Sequence, residues 1–300
     1  MQAQGVRCFR GNLGDLSAVR EAARDCSLIF HVGAKAGVWG PYEDYFLSNV
    51  VGTRNVLTVC REQGIKRLIY TSSPSVIFDG QDQEGIDETA PYPKIYQACY
   101  PATKALAERE VLAANGPELA TVALRPHLIW GPGDQHIIPR ILDRARKGRL
   151  RLIGSGRKRV DAVFIENAVQ AHLCAMERLS PEASIAGKAY FITNHEPWPT
   201  QDVINGFLKA AGLRPVSAKI PMALALKIAA LMEKAYVFFR IRGEPPLTQF
   251  AVKQLGTAHW YETRAAREEL GYEPRISMHE GMRRLNEHFQ KSAARSILDA

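Results

Sequence analysis

Leu68-Ile69-Tyr70-Thr71-Ser72-Ser73, then Tyr100-Pro101-Ala102-Thr103-Lys104, then Ala120-Thr121-Val122-Ala123-Leu124: the order of these three segments decides how the chain folds. The first is an apolar run closed by hydroxyls and reads as a buried strand, Arg67 to Thr71. Pro101 suits the first turn of a helix and Gly116 its C′ stop, which predicts a helix over 101–115. Ala120 to Leu124 reads as the next strand. Strand, helix and strand in this order make a βαβ unit of a parallel sheet. Such sheets bind ligands at the carboxyl ends of their strands, which is where Ser72 and Ser73 stand.

The alternation continues outward from this unit. Upstream, Val6 to Phe9 reads as a strand, Leu13 to Arg24 as a helix, and Ser27 to Val32 as a strand ended by the small-residue turn Gly33 to Gly37. Asn49 to Gln63 is helical, with Val50, Val56, Leu57 and Cys60 at helical spacing and Gly64 as the stop. Downstream, Gly131-Pro132-Gly133-Asp134 is a turn, Ile137 to Gly148 a helix and Val160 to Glu166 strand-like. The remainder, to Ala300, loses the strict alternation and reads as a smaller lobe that shapes a substrate pocket.

Tyr100 and Lys104 are four residues apart, so they share one helix face. A phenol titrates near pH 10 and is a poor proton-transfer group at neutrality, but a fixed cation beside it favours the phenolate. A serine hydroxyl can hold a substrate oxygen against the phenol. This set suits proton transfer at an alcohol or ketone oxygen while hydride moves at its carbon. Tyr-x-x-x-Lys also occurs on ordinary exposed helices, and paired serines in ordinary turns. It is the order of strand, Ser-Ser, Tyr-x-x-x-Lys and strand that points to chemistry.

Composition narrows the rest. Of 300 residues, 46% are hydrophobic and 23% charged, values that exclude a disordered chain or a disulfide scaffold. No apolar run reaches the length of a membrane span, and Met1 to Arg10 has no signal-peptide pattern. The five cysteines are widely spaced without a C-x-x-C, so reduced thiols in a cytoplasm are expected. The net charge is +8. Arg140 to Arg159 holds nine Lys/Arg against Asp143 alone, so the rest of the chain is balanced. No nucleic-acid partner is therefore expected. The basic segment reads as a solvated helix and loop, or as an attractor for an acyl carboxylate or a coenzyme A phosphate. Pro221 to Ile241 is apolar between Lys227, Glu233 and Lys234; it reads as core or pocket wall, or as a helix making peripheral membrane contact. His31, His127, His136 and His172 lack ligand spacing, and no metal is inferred.

Several further stretches carry a family resemblance: Phe30 to Ala34, Asn49-Val50-Val51-Gly52-Thr53-Arg54-Asn55-Val56, Tyr70 to Val76, Asp87-Glu88, Tyr100 to Lys104, Leu124-Arg125-Pro126 and Gly131-Pro132-Gly133. The chain resembles the extended short-chain dehydrogenase/reductases, of the 3β-hydroxysteroid dehydrogenase and NAD-dependent epimerase/dehydratase group. Lys35 to Gly40 and Phe78-Asp79-Gly80 are similar to a bacterial branch that reduces 2-alkyl-3-oxoalkanoates.

The resemblance implies an α/β fold: a Rossmann-like doubly wound parallel sheet lacking its first βαβ unit, with a smaller C-terminal substrate lobe. Residues 1–135 would be an incomplete dinucleotide-binding domain to which 158–178 return, and 136–157 with 179–300 the substrate-binding lobe. It implies NAD or NADP as cofactor. Ser73 would be the catalytic hydroxyl, Tyr100 the acid/base, and Lys104 the group that binds the nicotinamide ribose and tunes Tyr100. Gly33, Ala34 and Lys35 would line the cofactor beside its phosphates, with Asn12 and Leu13 near the adenine. Pro126 and His127 would sit near the nicotinamide; Thr71 and Asn49 would also be cofactor-binding, Asn49 in a mainly structural way.

The implied reaction interconverts a 3-hydroxy and a 3-oxo group on a small hydrophobic substrate, sterol-like or long-chain 3-oxoacyl. A sugar-nucleotide epimerase or dehydratase shares the Ser-Tyr-Lys set and is the alternative; a cofactor-free binding protein is another. A homodimer belongs among the expectations. The sequence departs from the family in two places. No strand and G-x-x-G-x-x-G loop precede Val6, an expected shortfall on the order of 40 residues, roughly one βαβ unit. Asn12 stands where the family has Asp. Gly33, Gly37 and Gly40 imitate the glycine loop, but the next strand ends in Thr71-Ser72 rather than in the acid the fingerprint requires.

Overall fold

Ala120–Pro126 is buried at every position, as expected of a strand covered on both faces of a parallel sheet. It lies between Arg67–Thr71 and Ala189–Ile192, with Ile29–His31 beyond Arg67–Thr71; all four strands run parallel. The computed structural model describes residues 5–298.

Alternation along the strands supplies both faces of the sheet. Leu68, Tyr70 and Ala123 pack against Val56, Val59 and Cys60 of helix Gly52–Gln63 and against Ala107 and Val111 of helix Cys99–Ala113. Ile69, Val122 and Leu124 pack against Ala168, Ala171 and Ala175 of helix Ile165–Arg178 on the other face. The sheet is thus doubly wound, as the sequence predicts.

A separate core surrounds the buried Trp130, which packs among Phe164 and Phe207. It joins helices Ile137–Arg146, Thr200–Ala210 and Met278–Leu298. Asp134 starts the first of these, its carboxylate accepting hydrogen bonds from the Ile137 and Ile138 N–H groups. A second sheet runs Trp198–Pro199, Arg159–Val160, His259–Tyr261, Gln83–Ile86 and closes one flank of the lobe.

Several expectations are corrected. Val6 to Phe9 forms no strand; Val6 and Phe9 are exposed in irregular backbone. A four-residue apolar run becomes a strand only with a ladder partner, and no described strand offers it one. The helix expected over 13–24 covers Leu16–Ala22, because Asp15 accepts from Ser17 N and Ala18 N and fixes its start. The helix expected from Asn49 opens as a wider π segment, Phe46–Val51, before Gly52–Gln63. Val160 to Glu166 is not one strand: Arg159–Val160 and Val163–Phe164 enter different sheets, and helix begins at Ile165. The lobe boundary shifts too, because Ala189–Ile192 is the fourth strand of the central sheet and Leu270 and Tyr272 pack on that sheet.

Candidate active site

The carboxyl end of strand Arg67–Thr71 turns at Ser73, which caps the short 3-10 turn Pro74–Ile77. Ser73 Oγ accepts from Ser75 N at 3.2 Å and from Ser75 Oγ at 2.9 Å. With its acceptor capacity used, the Ser73 proton is free to donate. Burial raises the Tyr100 phenol above its ordinary value, and the Ser73 hydroxyl acts in the opposite sense.

Lys104, one turn along the same helix, is 2% exposed. Its Nζ donates to the Thr71 carbonyl at 2.6 Å and lies 4.1 Å from the Tyr70 ring centroid. Burial pulls its pKa down to about 7, against the opposing pull of Glu108. The sequence predicts that Lys104 lowers the pKa of Tyr100. In the structure Lys104 is directed at Thr71 and Tyr70, and burial sets the phenol in the opposite direction.

Supporting contacts fix helix Cys99–Ala113. Glu108, one turn beyond Lys104, receives Arg125 Nη2 at 2.7 Å and Nε at 3.0 Å, both side chains buried. Tyr92 donates to the same carboxylate at 2.6 Å. His172 Nδ1 must donate to the Ala168 carbonyl (2.7 Å), so its Nε2 accepts the Thr71 hydroxyl (2.7 Å). Asn49 sits in the π segment and spends its amide on the loop and on the helix. Its Oδ1 accepts from Lys35 N at 2.7 Å, and its Nδ2 donates to Lys35 O at 3.1 Å and Thr103 Oγ1 at 3.0 Å. These bonds tie the loop at Lys35 to the helix at Thr103, and Asn49 does not line the cleft around Ser73 and Tyr100. Sequence reading singled out neither Ser75 nor His172, nor the Glu108–Arg125 pair; only the Ser-Pro-Ser turn gave a local hint of Ser75.

One cleft of about 1290 Å³ brings together Ser73, Tyr100, Lys104, Thr71, Pro126 and His127, along with Ala34. Ile204, Ile220, Ile228 and Leu247 give it an apolar wall from the lobe. His127 is buried, its ring 5.3 Å edge-on to Tyr261, and burial holds its pKa down at about 3, so it is neutral. Gly33, Lys35, Asn12 and Leu13 do not line the cleft. Leu13 instead packs where a side chain at Gly33 or Gly52 would stand, within 2.9 Å. Asn12 Oδ1 accepts from Gly14 N, a local turn bond. Lys35 pairs with Asp44 at 2.6 Å. Gly37 and Gly40, both at positive φ, accommodate the Tyr45 ring; a Cβ on Gly37 would lie 2.9 Å from Tyr45 Oη. That packing and the positive φ account for glycine at 37 and 40, and Gly37 also lines the cleft.

Residues 1–223 match the 3-beta hydroxysteroid dehydrogenase/isomerase family. The chain belongs to that family. It is 50% identical over 288 residues to a 2-alkyl-3-oxoalkanoate reductase of Stenotrophomonas maltophilia, covering 95% of this chain and 87% of that protein. It is 35% identical over 289 residues to the mouse sterol-4-alpha-carboxylate 3-dehydrogenase (decarboxylating), with 95% and 80% covered. Among solved structures, the Thermus thermophilus UDP-glucose 4-epimerase in complex with NAD superposes with a TM-score of 0.70 at 24% identity, covering 96% of this chain and 86% of that one. The fold is therefore Rossmann-like, and the family member is an NAD(P)-dependent oxidoreductase. The cleft residues fit the nicotinamide end of such a cofactor: Ser72 Oγ and His127 Nε2 are buried there without a partner, polar groups that a bound ligand would satisfy. Among the described residues no His/Cys/Asp/Glu cluster is placed to hold a metal.

Proposed function

We propose that this chain interconverts the 3-oxo and 3-hydroxy forms of a hydrophobic 3-oxo acid, with Tyr100 as general acid/base. The convergence of Ser73, Tyr100 and Lys104 on a cleft whose far wall is aliphatic carries this reading. Two relatives, a 2-alkyl-3-oxoalkanoate reductase and a decarboxylating sterol-4-alpha-carboxylate 3-dehydrogenase, pair a carboxylate with a redox-active carbon 3. Both support an acidic, lipid-like substrate. Arg149 and Arg151 line the cleft, and basic walls raise the local concentration of such an acid.

NAD(P), when bound, supplies or accepts the hydride at carbon 3. Ser73 donates a hydrogen bond to the substrate oxygen, and its own oxygen stays fixed by Ser75. Tyr100 gives its proton to that oxygen as the carbonyl is reduced and takes it back in the reverse direction. Lys104, with His127 and Pro126, would hold the nicotinamide ribose end.

The test is a substrate panel followed by nicotinamide absorbance: long-chain 2-alkyl-3-oxo acids, sterol 4-carboxylates and UDP-sugars. Turnover is expected on the acids, lowered about 10²-fold or more in Tyr100→Phe, the range for losing a general acid. Turnover confined to UDP-sugars, or a Tyr100→Phe variant of native rate, overturns the reading.

A further inference from the structure

Helix Met222–Phe238 has two unlike sides. Ala225 and Ala229 are fully buried and pack with Ile153 and Val252. Glu233 faces the neighbouring helix, accepting from Gln249 N at 2.7 Å and Gln249 Nε2 at 2.6 Å. Leu224, Leu231 and Phe238 recur every seventh residue and so form one line along the helix. They are 49%, 70% and 79% exposed. Val237 and Phe239 broaden the end of the stripe and are as exposed.

The charges beside the stripe have one sign. Lys227 and Lys234 each lie three residues beyond Leu224 and Leu231, on the adjacent strip of the helix, and both are exposed. Arg240 and Arg242 follow, also exposed. Among the described residues none of these four cations forms an ion pair. An apolar stripe flanked by cations is the pattern of a helix resting in a bilayer interface. No helix among the described residues is long and apolar enough to cross a membrane, so the contact would lie in the plane.

The stripe also leads to the cleft. The segment after it, Glu244 to Leu247, lines the cleft. Arg140 pairs with Glu244 at 3.0 Å, and Arg144 donates to the Pro246 carbonyl, tying the basic segment to the same rim.

We propose that this face docks on an anionic lipid surface. Leu224, Leu231 and Phe238 enter the headgroup boundary, the four cations meet lipid phosphates, and the mouth of the cleft is held at the bilayer. A second copy of the chain suits the face less well, because a symmetric pairing would bring two sets of the same cations into one interface. The docking does not depend on the redox reading, since its readout is binding alone.

The experiment is flotation of the full chain with phosphatidylcholine–phosphatidylglycerol vesicles, with phosphatidylcholine vesicles in parallel. The native chain is expected to float with the anionic vesicles and to be released as ionic strength rises. Phe238→Glu is expected to weaken binding about tenfold or more, the effect of removing one large buried apolar side chain. Lys227→Glu with Lys234→Glu, at positions solvated in the fold, should weaken it on anionic vesicles while leaving the melting transition in place. Failure of the native chain to float overturns the proposal, as does equal flotation of the charge-reversed variant. A dimer in gel filtration that Leu231→Glu dissociates, without vesicle binding, overturns it in favour of the second copy.

Discussion

Lys104 answers to two opposed demands. Burial favours the neutral amine, while the Thr71 carbonyl and Glu108 favour the ammonium; burial wins, and the group titrates near 7. In the unfolded chain it returns to the ordinary value of 10.5. Between those values the unfolded chain holds a proton that the folded chain has released. Stability therefore rises with pH across that window, at up to about 1.4 kcal/mol per pH unit for one group. Burial pushes Cys60 up to about 11, which acts in the opposite sense above its ordinary range, so the cleanest window is about pH 7–9. Lys104→Met should remove the rise, read as the pH dependence of the urea midpoint. A native slope that is absent, or one unchanged in Lys104→Met, would show that the ammonium is solvated and that its burial is misread. The residue-level site was half legible in the sequence. Tyr100 and Lys104 stood out by their spacing on one helix, whereas Ser73 was separated from Ser72 only by the family resemblance. Ser75 and His172 did not, because each acts by hydrogen-bonding a neighbour, and neither forms a spacing pattern of its own.

Helix Cys99–Ala113 packs apolar residues on the sheet and also buries one member of an ion pair. Both its faces carry buried residues, including Thr103, Lys104 and Glu108. The Glu108–Arg125 contact, 2.7 and 3.0 Å across two hydrogen bonds, ties it to strand Ala120–Pro126. Glu108→Gln leaves Arg125 buried without its counter-charge, a loss of about 3–5 kcal/mol. Glu108→Leu with Arg125→Met removes both charges and should recover most of that loss in a denaturation series. A Glu108→Gln variant as stable as the native chain would show that the pair contributes nothing to holding the helix. At this scale the βαβ elements were legible, since long apolar strands and glycine stops are local signals. Val6 to Phe9 was misread because strand formation depends on a ladder partner, which is a property of the sheet. The π segment at Phe46–Val51 was invisible because its extra residue leaves no mark in the hydrophobic period.

The cleft is a property of the whole molecule. Its catalytic side comes from the ends of two adjacent strands and the Tyr–Lys helix, and its apolar side from Ile204, Ile220, Ile228 and Leu247, far along the chain. Such a wall has no sequence motif, so the lobe could be anticipated only as a region without alternation. From sequence the basic segment reads either as a solvated helix and loop or as an attractor for an acidic group. It does reach solvent, yet Arg140, Arg144, Lys147, Arg149 and Arg151 also line the cleft. In the proposed reaction, the aliphatic wall that shares the cleft with Ser73 and Tyr100 would receive the chain of a lipid-like acid while one carbon is reduced. An epimerase on the same fold would instead return the hydride to its substrate. Transfer of isotope from the cofactor separates these outcomes most directly. With nicotinamide deuterated at carbon 4 and a long-chain 2-alkyl-3-oxo acid, the account predicts a 3-hydroxy product bearing one deuterium at carbon 3 per cofactor oxidised. No deuterium at carbon 3, or a 3-oxo acid recovered unchanged, would contradict it.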